Sequence, residues 1–396
     1  MLDGKQIVLG VSGGIAAYKA AEIVRLLVKA EASVRVIMTK NAQEFITPLT
    51  LQTLSGNPVS TDTFDLTQES EIGHIRLADT ADLVLLAPAT ANLLAKLAGG
   101  LADDLLTTVL LATTAPVVIA PAMNVHMYAH PLVQANLQKL AGIGHHLVEP
   151  GAGELACGYE GQGRLAEPAE IVEAARAALT TKDLTDERII VTAGPNCEPI
   201  DPVRYITNRS TGKMGYAMAR VAQQRGAQVS LVSGPTALTP PRGVDFYSVR
   251  TACEMQQAVL AAYPQATMVV SAAAIADYRP ATVASHKIKK GAGGFVIELD
   301  RNPDILAGLG QQKGGRLLVG FATETQELVP NAERKLKSKN LDLIVANDVT
   351  QEGAGFASDT NIVTLLDRTG RVEPLSQMSK EAVAHAVYDR LLLLKR

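Results

Sequence analysis

The first half of the chain repeats one hydrophobic pattern: a short apolar run, a polar or glycine-rich turn, and then apolar residues at helical spacing. Apolar runs of this length are typical of buried parallel strands, and amphipathic helices between them indicate a doubly wound α/β sheet. The strands are predicted at Lys5 to Val11, Val34 to Thr39, Leu83 to Ala87 and Pro116 to Ala120. Helices are predicted after Gly14, from His74, near Asp104, from Val125 and from Pro168 to Leu179.

The same pattern restarts at Arg188, after the polar connector 180–187. Further strands are predicted at Ala227 to Val232, at Met268 to Ser271 and up to Ala322, with helices from Met214 and after Asn302. A chain of 396 residues typically forms two domains. We therefore predict two doubly wound, Rossmann-like domains, 1–183 and 184–396, which share a pattern but not residue-level similarity.

Composition narrows the classes of function. Hydrophobic residues make up 47% and charged residues 19%, and the formal net charge of −3 gives no general attraction to nucleic acid or membranes. The long uncharged stretch 105–138 is interrupted by Pro116, Pro121 and Asn124, so we expect a helix, a strand and a helix rather than a membrane span. The N-terminus enters a strand directly, so we expect no signal peptide.

Three cysteines, Cys157, Cys197 and Cys253, are far apart, and no Cys-x-x-Cys occurs. Neither a zinc site nor a disulfide framework is indicated, and we expect a reducing cytoplasm. His126 and His130 are four residues apart, but no acidic or cysteine third ligand lies near them in sequence. We therefore reject a metal site at this pair.

Polar residues follow the predicted strands of the first half. The turn Ser12-Gly13-Gly14, Thr39, Asn92 and Asn124 all stand at carboxyl ends of strands, where open α/β sheets bind ligands. The turn is not G-x-G-x-x-G, which argues against a dinucleotide. A flat heteroaromatic ligand with one phosphate, such as FMN, fits this set better. Asn124 could alternatively serve only as a helix cap.

His74 and Cys157 are candidates for proton transfer. His74 begins a short helix, where histidine is either a general base or a helix-end residue. Cys157 lies in the glycine-rich stretch 151–165, which is typical of a mobile active-site flap. Its thiol could deliver a proton or merely fill space.

Five motifs in the first half resemble the flavin-dependent cysteine decarboxylases. They are Ser-Gly-Gly-Ile-Ala-Ala-Tyr-Lys, Gly-His74-Ile, Ala-Pro-Ala-Thr-Ala-Asn92, Pro-Ala-Met-Asn124-x-x-Met127 and Leu-Ala-Cys157-Gly-x-x-Gly-x-Gly-Arg. The resemblance implies that His74 is the base, that Asn124 acts on substrate and flavin, that Met127 and Arg164 bind substrate, and that Cys157 donates the last proton. It implies FMN contacts from Ser12, Gly13, Gly14, Thr39, Pro88, Thr90, Asn92 and Met123. Tyr128 stands where relatives often carry Trp.

The second half has a long loop, 194–214, before its first helix. The loop is not a P-loop, because glycine is missing five residues before Gly212 and Met214 stands where Ser or Thr is required. Lys287, Lys289 and Lys290 lie beside a glycine-rich turn. They form either a solvated surface or a set of point charges for a polyphosphate. Lys335 and Lys339 share a predicted helix face.

This half resembles phosphopantothenate–cysteine ligase. The motifs are Thr-Ala-Gly-Pro, Asp-Pro-Val-Arg204-Tyr-Ile-x-Asn208, Ser-Thr-Gly-Lys-Met-Gly, Ala-Asp277-Tyr, Lys287-Ile-Lys-Lys, Asn-Pro-Asp-Ile and Ala-Asn-Asp-Val. The resemblance implies that Asn208 stabilises an acyl-cytidylate, that Lys287 offsets triphosphate charge and that Arg204 contacts substrate. The implied CTP pocket comprises Ser271, Ala272, Ala273, Asp277, Lys287, Pro303, Asp304, Ile305, Leu306, Phe321, Lys335 and Lys339. Asn196, Cys197 and Arg209 depart from the usual residues.

Fused in this order, the halves resemble the bacterial bifunctional enzymes of coenzyme A synthesis. The resemblance implies ligation of 4′-phosphopantothenate to cysteine with CTP and Mg²⁺, followed by FMN-dependent decarboxylation. It also implies a homo-oligomer with flavin sites at subunit interfaces. Two alternatives stay open at this point: a flavin-binding regulatory subunit without turnover, and a peptidyl-cysteine decarboxylase. The residues alone do not decide between CTP and ATP, and they identify no Mg²⁺ ligands.

Overall fold

The computed structural model describes residues 2–63, 73–154, 160–290, 295–324, 327–348, 355 and 357–395. Contacts divide the chain into two compact units, Met1–Thr181 and Lys182–Arg396.

The first unit is built on a six-stranded parallel sheet. Its strand order is β3-β2-β1-β4-β5-β6, so the direction of winding reverses between β1 and β4. The sheet strands are β1 (Gln6–Val11), β2 (Ser33–Met38), β3 (Val59–Ser60), β4 (Leu83–Ala89), β5 (Val117–Pro121) and β6 (His146–Leu147). A separate antiparallel hairpin joins β7 (Gly151–Glu154) to β8 (Glu160–Arg164).

Helices cover both faces of this sheet. They are α1 (Ala20–Lys29), α2 (Pro48–Ser55), α3 (Gly73–Thr80), α4 (Ala91–Gly99), α5 (Leu105–Ala112), α6 (Val125–Ala129), α7 (Pro131–Gly142) and α8 (Pro168–Leu179). Short 3-10 helices span Ile15–Lys19 and Lys40–Glu44. Every residue of β4 is buried, because one core packs under α1 and α8 while another packs under α4, α5 and α7.

The second unit repeats the winding in a larger, eight-stranded sheet. Its order is β13-β12-β9-β14-β17-β18-β20-β21; β13 to β18 are parallel, and β20 and β21 join antiparallel at one edge. These strands are β9 (Arg188–Ala193), β12 (Gln228–Ser233), β13 (Asp245–Ser248), β14 (Met268–Ser271), β17 (Leu317–Glu324), β18 (Leu343–Asp348), β20 (Val363–Asp367) and β21 (Val372–Pro374). Short antiparallel pairs join β10 (Cys197–Pro199) to β11 (Tyr205–Thr207), β15 (Tyr278–Pro280) to β16 (Leu299–Arg301), and β19 (Thr360–Asn361) to β22 (Met378–Ser379).

Two sets of helices flank this second sheet. One core contains buried residues of α9 (Lys213–Gln224) and α13 (Lys380–Lys395). The other contains buried residues of α10 (Ala252–Ala262), α11 (Ile305–Gln311) and α12 (Leu328–Ser338), and a 3-10 helix spans Tyr263–Gln265. The carboxyl ends of β9, β14, β17 and β18 therefore open between two layers of helices.

The predicted fold class, a doubly wound α/β architecture in each half, is confirmed. The uncharged stretch 105–138 forms the expected helix and strand, followed by two helices, α6 and α7, where one was expected. The predicted helix from Pro168 to Leu179 has those bounds. Within the described residues, no helix combines the length and apolar character that crossing a bilayer requires.

Candidate active sites

A cavity of about 730 Å³ opens at the carboxyl edge of the first sheet, where the winding reverses. This volume lies within the range of roughly 300–1,000 Å³ that is usual for cofactor sites. The cavity lining includes these predicted residues: Ser12, Gly13, Gly14, Thr39, Thr90, Asn92, Met123, Asn124, Met127 and Arg164.

Ser12 ties together the ends of β1 and β4. Its hydroxyl donates to the carbonyl oxygen of Pro88 at 2.7 Å and accepts from the backbone N–H of Thr90 at 3.0 Å. Pro88 is buried in β4 and is absent from the cavity lining. The Pro88 carbonyl therefore supports Ser12, and the predicted contact of Pro88 with FMN stays a prediction.

Three of the lining side chains cap helices. The hydroxyl of Thr39 accepts from the N–H of Ala42 at 3.3 Å, and that of Thr90 accepts from Leu93 at 3.4 Å. Asn124 begins α6, and its Oδ1 accepts from the N–H of His126 at 2.9 Å. Capping and ligand binding are thus not alternatives for Asn124, because the residue both caps α6 and lines the cavity.

The β7–β8 hairpin closes the cavity beside Asn124. The backbone N–H of Met123 donates to the carbonyl oxygen of Gly163 at 2.9 Å. An added Cβ at Gly163 would lie 2.4 Å from the carbonyl oxygen of Met123, so only glycine fits here. Cys157 lies outside the described residues. Its role in a mobile flap stays a prediction.

His74 does not line this cavity. It is the second residue of α3 and is partly buried. The structure therefore confirms the short helix and does not bring His74 together with Asn124 within one chain.

Charged residues that the sequence reasoning missed also line the cavity. Lys19 is 8% exposed, and its ammonium lies 3.3 Å from the carboxylate of Glu167. The ammonium of Lys96 lies 2.7 Å from Asp103 and 3.4 Å from Asp104, and the hydrogen bond that it donates to the Asp103 carboxylate raises the pKa of Lys96. Lys19 is part of the Ser-Gly-Gly motif, and its position one helical turn after the glycines was the available signal.

A second cavity, of about 860 Å³, lies at the carboxyl edge of the second sheet. Its lining includes all but one of the predicted CTP-pocket residues: Ser271, Ala272, Ala273, Asp277, Pro303, Asp304, Ile305, Leu306, Phe321, Lys335 and Lys339. Asn208 also lines it, and its amide donates to the carbonyl oxygen of Ala274 at 3.1 Å. The exception is Lys287.

Buried polar groups hold the loop between β14 and β15. Asn196 is fully buried, and its Oδ1 accepts from the N–H of Ala276 at 2.7 Å. Asn302 donates to the carbonyl oxygen of the same residue at 2.8 Å. Asn196, which differs from the usual residue of the ligase motif, therefore supports the cavity wall directly.

The α11 and α12 side of the cavity carries opposite charges. Asp304 caps α11 by accepting from the N–H of Ala307 at 3.0 Å, and Lys339 lies 2.8 Å from its carboxylate. The described residues contain no group of three or more His, Cys, Asp or Glu side chains placed to hold a metal ion.

Lys287 and Arg204 lie outside the cavity lining. Lys287 is exposed, next to Ile288. Arg204 donates to the carboxylate of buried Asp201 and to the carbonyl oxygen of Ile288, each at 3.2 Å. Within one chain, Arg204 therefore anchors the lysine-rich segment.

Lys213, Asn361 and Lys380 line the second cavity but were not predicted as site residues. They are far apart in the sequence, and only the packing of α13 on α9 brings the two lysines to one cavity. No local motif could have paired them.

Comparison with known proteins divides the chain at nearly the same position as its two compact units. A flavoprotein family model matches residues 1–180, and the model "DNA/pantothenate metabolism flavoprotein C-terminal domain" matches residues 184–394. The chain is 51% identical over 400 residues to a Bacillus subtilis protein named coenzyme A biosynthesis bifunctional protein CoaBC, covering 100% of this chain and 98% of that one.

An Escherichia coli K12 protein of the same name is 49% identical over 397 residues, covering 99% of this chain and 97% of the relative. A solved C-terminal domain of a protein so named is 43% identical and is covered completely by 55% of this chain, with a TM-score of 0.47.

Proposed function

The chain belongs to the family of coenzyme A biosynthesis bifunctional proteins, and from this premise we propose that it catalyses two consecutive steps. The second unit ligates 4′-phosphopantothenate to cysteine with CTP, and the first unit decarboxylates the product to 4′-phosphopantetheine with FMN. The observation that carries the proposal is that each unit has its own large cavity at the carboxyl edge of its sheet, lined by most of the residues that the sequence predicts for one activity.

In the ligase, the carboxylate of phosphopantothenate attacks the α-phosphate of CTP, and pyrophosphate leaves. The amine of cysteine then displaces CMP from the acyl-cytidylate. Asn208 is suited to bind the acyl-phosphate, since its amide is held at the cavity wall by Ala274. Lys335 and Lys339 supply positive charge for the nucleotide.

Mg²⁺ is compatible with this cavity. Asp277 and Asp304 are the carboxylates among its described lining residues, and Asp304 is already paired with Lys339. Magnesium with nucleotides is usually bound by one or two carboxylates and by phosphate oxygens. We infer that Asp277 is the available protein ligand.

The first cavity fits FMN by its donors. The hydroxyls of Thr39 and Thr90 cap the starts of helical turns, where N–H groups favour an anionic phosphate, and Ser12 lines the same cavity. The amides of Asn92 and Asn124 can pair with polar edges of a flavin ring. Bound flavin supplies two-electron oxidation of the thiol to a thioaldehyde and the later return of those electrons.

The chain's own residues direct the decarboxylation. We assign thiol deprotonation to His74 and binding of the substrate carboxylate to Asn124, with Met127 and Arg164 at the cavity rim. Carbon dioxide leaves because the thioaldehyde delocalises the resulting charge as an enethiolate. Cys157 delivers the proton that completes reduction.

A homo-oligomer would complete both sites. His74 and Lys287 each lie outside the cavity of their own unit. Ile15, Tyr18 and Met127 line the first cavity and are 63%, 58% and 48% exposed, which is unusual for such large apolar side chains. We infer that a second copy covers them and supplies His74.

Turnover by the purified protein tests the proposal. Phosphopantothenate and cysteine with CTP should yield phosphopantothenoylcysteine, then carbon dioxide and 4′-phosphopantetheine; parallel reactions with ATP decide the nucleotide. Bound flavin without any turnover would favour a regulatory subunit. Decarboxylation only of peptides ending in cysteine would favour the peptidyl-cysteine decarboxylase.

A further inference from the structure

Lysine side chains line the second cavity at two ends. The nucleotide contacts proposed above use the lysines of only one of these ends. Lys335 and Lys339 belong to the side formed by α11 and α12. Lys213 and Lys380 are the first residues of α9 and α13, on the opposite face of the sheet. Both of these lysines line the cavity.

Lys213 has a weakly neutralising partner. Its ammonium lies 2.7 Å from the carboxylate of Asp359 and donates to the carbonyl oxygen of Ala357 at 2.7 Å. The side chain of Asp359 is 91% exposed, so water screens the pair strongly. The ion pair therefore contributes little free energy, and a phosphoryl oxygen can compete with Asp359 for the Lys213 ammonium.

Lys380 is a buried cation beside another cation. The residue is 7% exposed, and its ammonium donates to the carbonyl oxygens of Gly355 and Ser358. Burial, and secondarily the charge of Lys213, lowers the pKa of Lys380, whereas Asp359 opposes that shift. Asp359 is a carboxylate that acts on both ammonium groups, and an anionic ligand between the two lysines would lower the electrostatic cost of placing them at one cavity wall further.

Backbone anchoring alone does not require this pair. Neutral amide side chains could also donate to the carbonyl oxygens of Gly355, Ala357 and Ser358, without desolvating a charge. The N-termini of α9 and α13 add partial positive charge at the same place. Charge, helix orientation and position at the cavity all favour a phosphoryl ligand.

We propose that Lys213 and Lys380 together bind a phosphoryl group of a ligase substrate, at the end of the cavity opposite Lys335 and Lys339. The inference rests on the proposed ligase function. Two substrates carry the required chemistry: the terminal phosphates of the nucleotide, and the phosphomonoester of phosphopantothenate.

Calorimetric titration of the flavin-loaded, full-length protein distinguishes these sources. Lys213→Met and Lys380→Met remove one charge each and retain an unbranched side chain. Lys337→Met is the matched control, because Lys337 is exposed on α12 and lies outside the cavity lining. The titrants are CTP, inorganic pyrophosphate, phosphopantothenate and pantothenate.

Each cavity variant should weaken one phosphorylated ligand roughly tenfold or more, as expected for loss of a charge-assisted hydrogen bond. Weaker binding of CTP and pyrophosphate with unchanged binding of phosphopantothenate would assign the lysine pair to the terminal phosphates of the nucleotide. Weaker binding of phosphopantothenate with unchanged binding of CTP would assign the pair to the phosphomonoester. In that case the variant should also lose the preference of the wild-type protein for phosphopantothenate over pantothenate. Lys213→Arg should retain most of the affinity.

Affinities within twofold of wild type for all ligands in Lys213→Met would overturn the inference, even if Lys380→Met failed to fold. The lysines would then serve only to anchor Gly355 and residues 357–359. A wild-type protein that neither binds these ligands nor ligates cysteine would instead defeat the proposed function. The two failures are therefore distinguishable.

Discussion

The backbone N–H of Met123 donates to the carbonyl oxygen of Gly163, which joins the β7–β8 hairpin directly to the residue preceding Asn124. A Cβ atom added to Gly163 would lie only 2.4 Å from the carbonyl oxygen of Met123. The hairpin and the cavity wall are thus coupled at one backbone contact.

Replacing Gly163 by alanine should separate the hairpin from this wall. We expect decarboxylation to fall at least about tenfold, equivalent to about 1.4 kcal/mol, because the added methyl group displaces Met123. Gly153→Ala is the control: Gly153 also has a positive φ of 142°, but nothing lies within 4 Å of its Cβ. Equal losses in both variants would show that backbone strain, rather than contact with Met123, controls activity.

The purified protein should be yellow and should release FMN on denaturation. Ser12→Ala should retain less flavin, because it leaves the Thr90 N–H and the Pro88 carbonyl without their shared hydroxyl partner. Absorbance and mass analysis of the released chromophore provide the measurement. Release of FAD, or of no chromophore, would contradict the flavin assignment.

Substitutions at His74 and Cys157 should stop the decarboxylase at different stages. Cys157→Ser should oxidise and decarboxylate the substrate but stall at the ene-thiol, since a serine hydroxyl is too weak an acid to complete reduction. His74→Asn should block the earlier oxidation. Mass spectrometry of quenched reactions identifies each species, and accumulation of the same species in both variants would refute this division of roles.

Substitutions in the second unit should impair ligation alone. Lys287→Gln removes a charge for the triphosphate, and Asn208→Asp places a negative charge beside the acyl-phosphate. Losing such a contact typically costs ~3 kcal/mol, or about a hundredfold in rate. Both variants should still decarboxylate supplied phosphopantothenoylcysteine, with flavin content as folding control and Lys337→Gln as charge control. Parallel loss of both activities in flavin-loaded Lys287→Gln would defeat the two-site assignment.

Asp201 should make the lysine-rich segment sensitive to acid. Burial opposes ionisation of Asp201, but hydrogen bonds from the N–H groups of Val203, Ile288 and Arg204 hold its pKa below the ordinary value. A lowered folded pKa contributes stability above the unfolded value of about 3.9, and this stability is lost as pH falls through the folded pKa.

Amide exchange tests this prediction at Ile288, whose N–H donates to the Asp201 carboxylate at 3.2 Å. Exchange protection corrected for intrinsic rates should fall in wild type below pH 4. In the Asp201→Asn variant, the Ile288 amide should lack this protection even at neutral pH. Equal protection in both proteins across the pH series would show that this carboxylate does not hold the segment.

The sequence by itself determined the doubly wound class and most of its strands. Buried parallel strands need continuous apolar runs, and these stand out at β1, β4 and β9 because polar or glycine-containing turns and amphipathic helices follow them. Strand-end residues such as Ser12 and Asn124 were also predictable as site residues, since parallel strands bring their carboxyl ends to one edge.

Only the tertiary structure decided which of these residues share a cavity. It brings Lys213 to Lys380 through the packing of α9 on α13, a contact between distant segments that no local pattern encodes. It also leaves His74 and Lys287 outside the cavities of their own units. Local periodicity specifies which face of an element is buried, whereas the partners of a polar side chain depend on how whole elements pack.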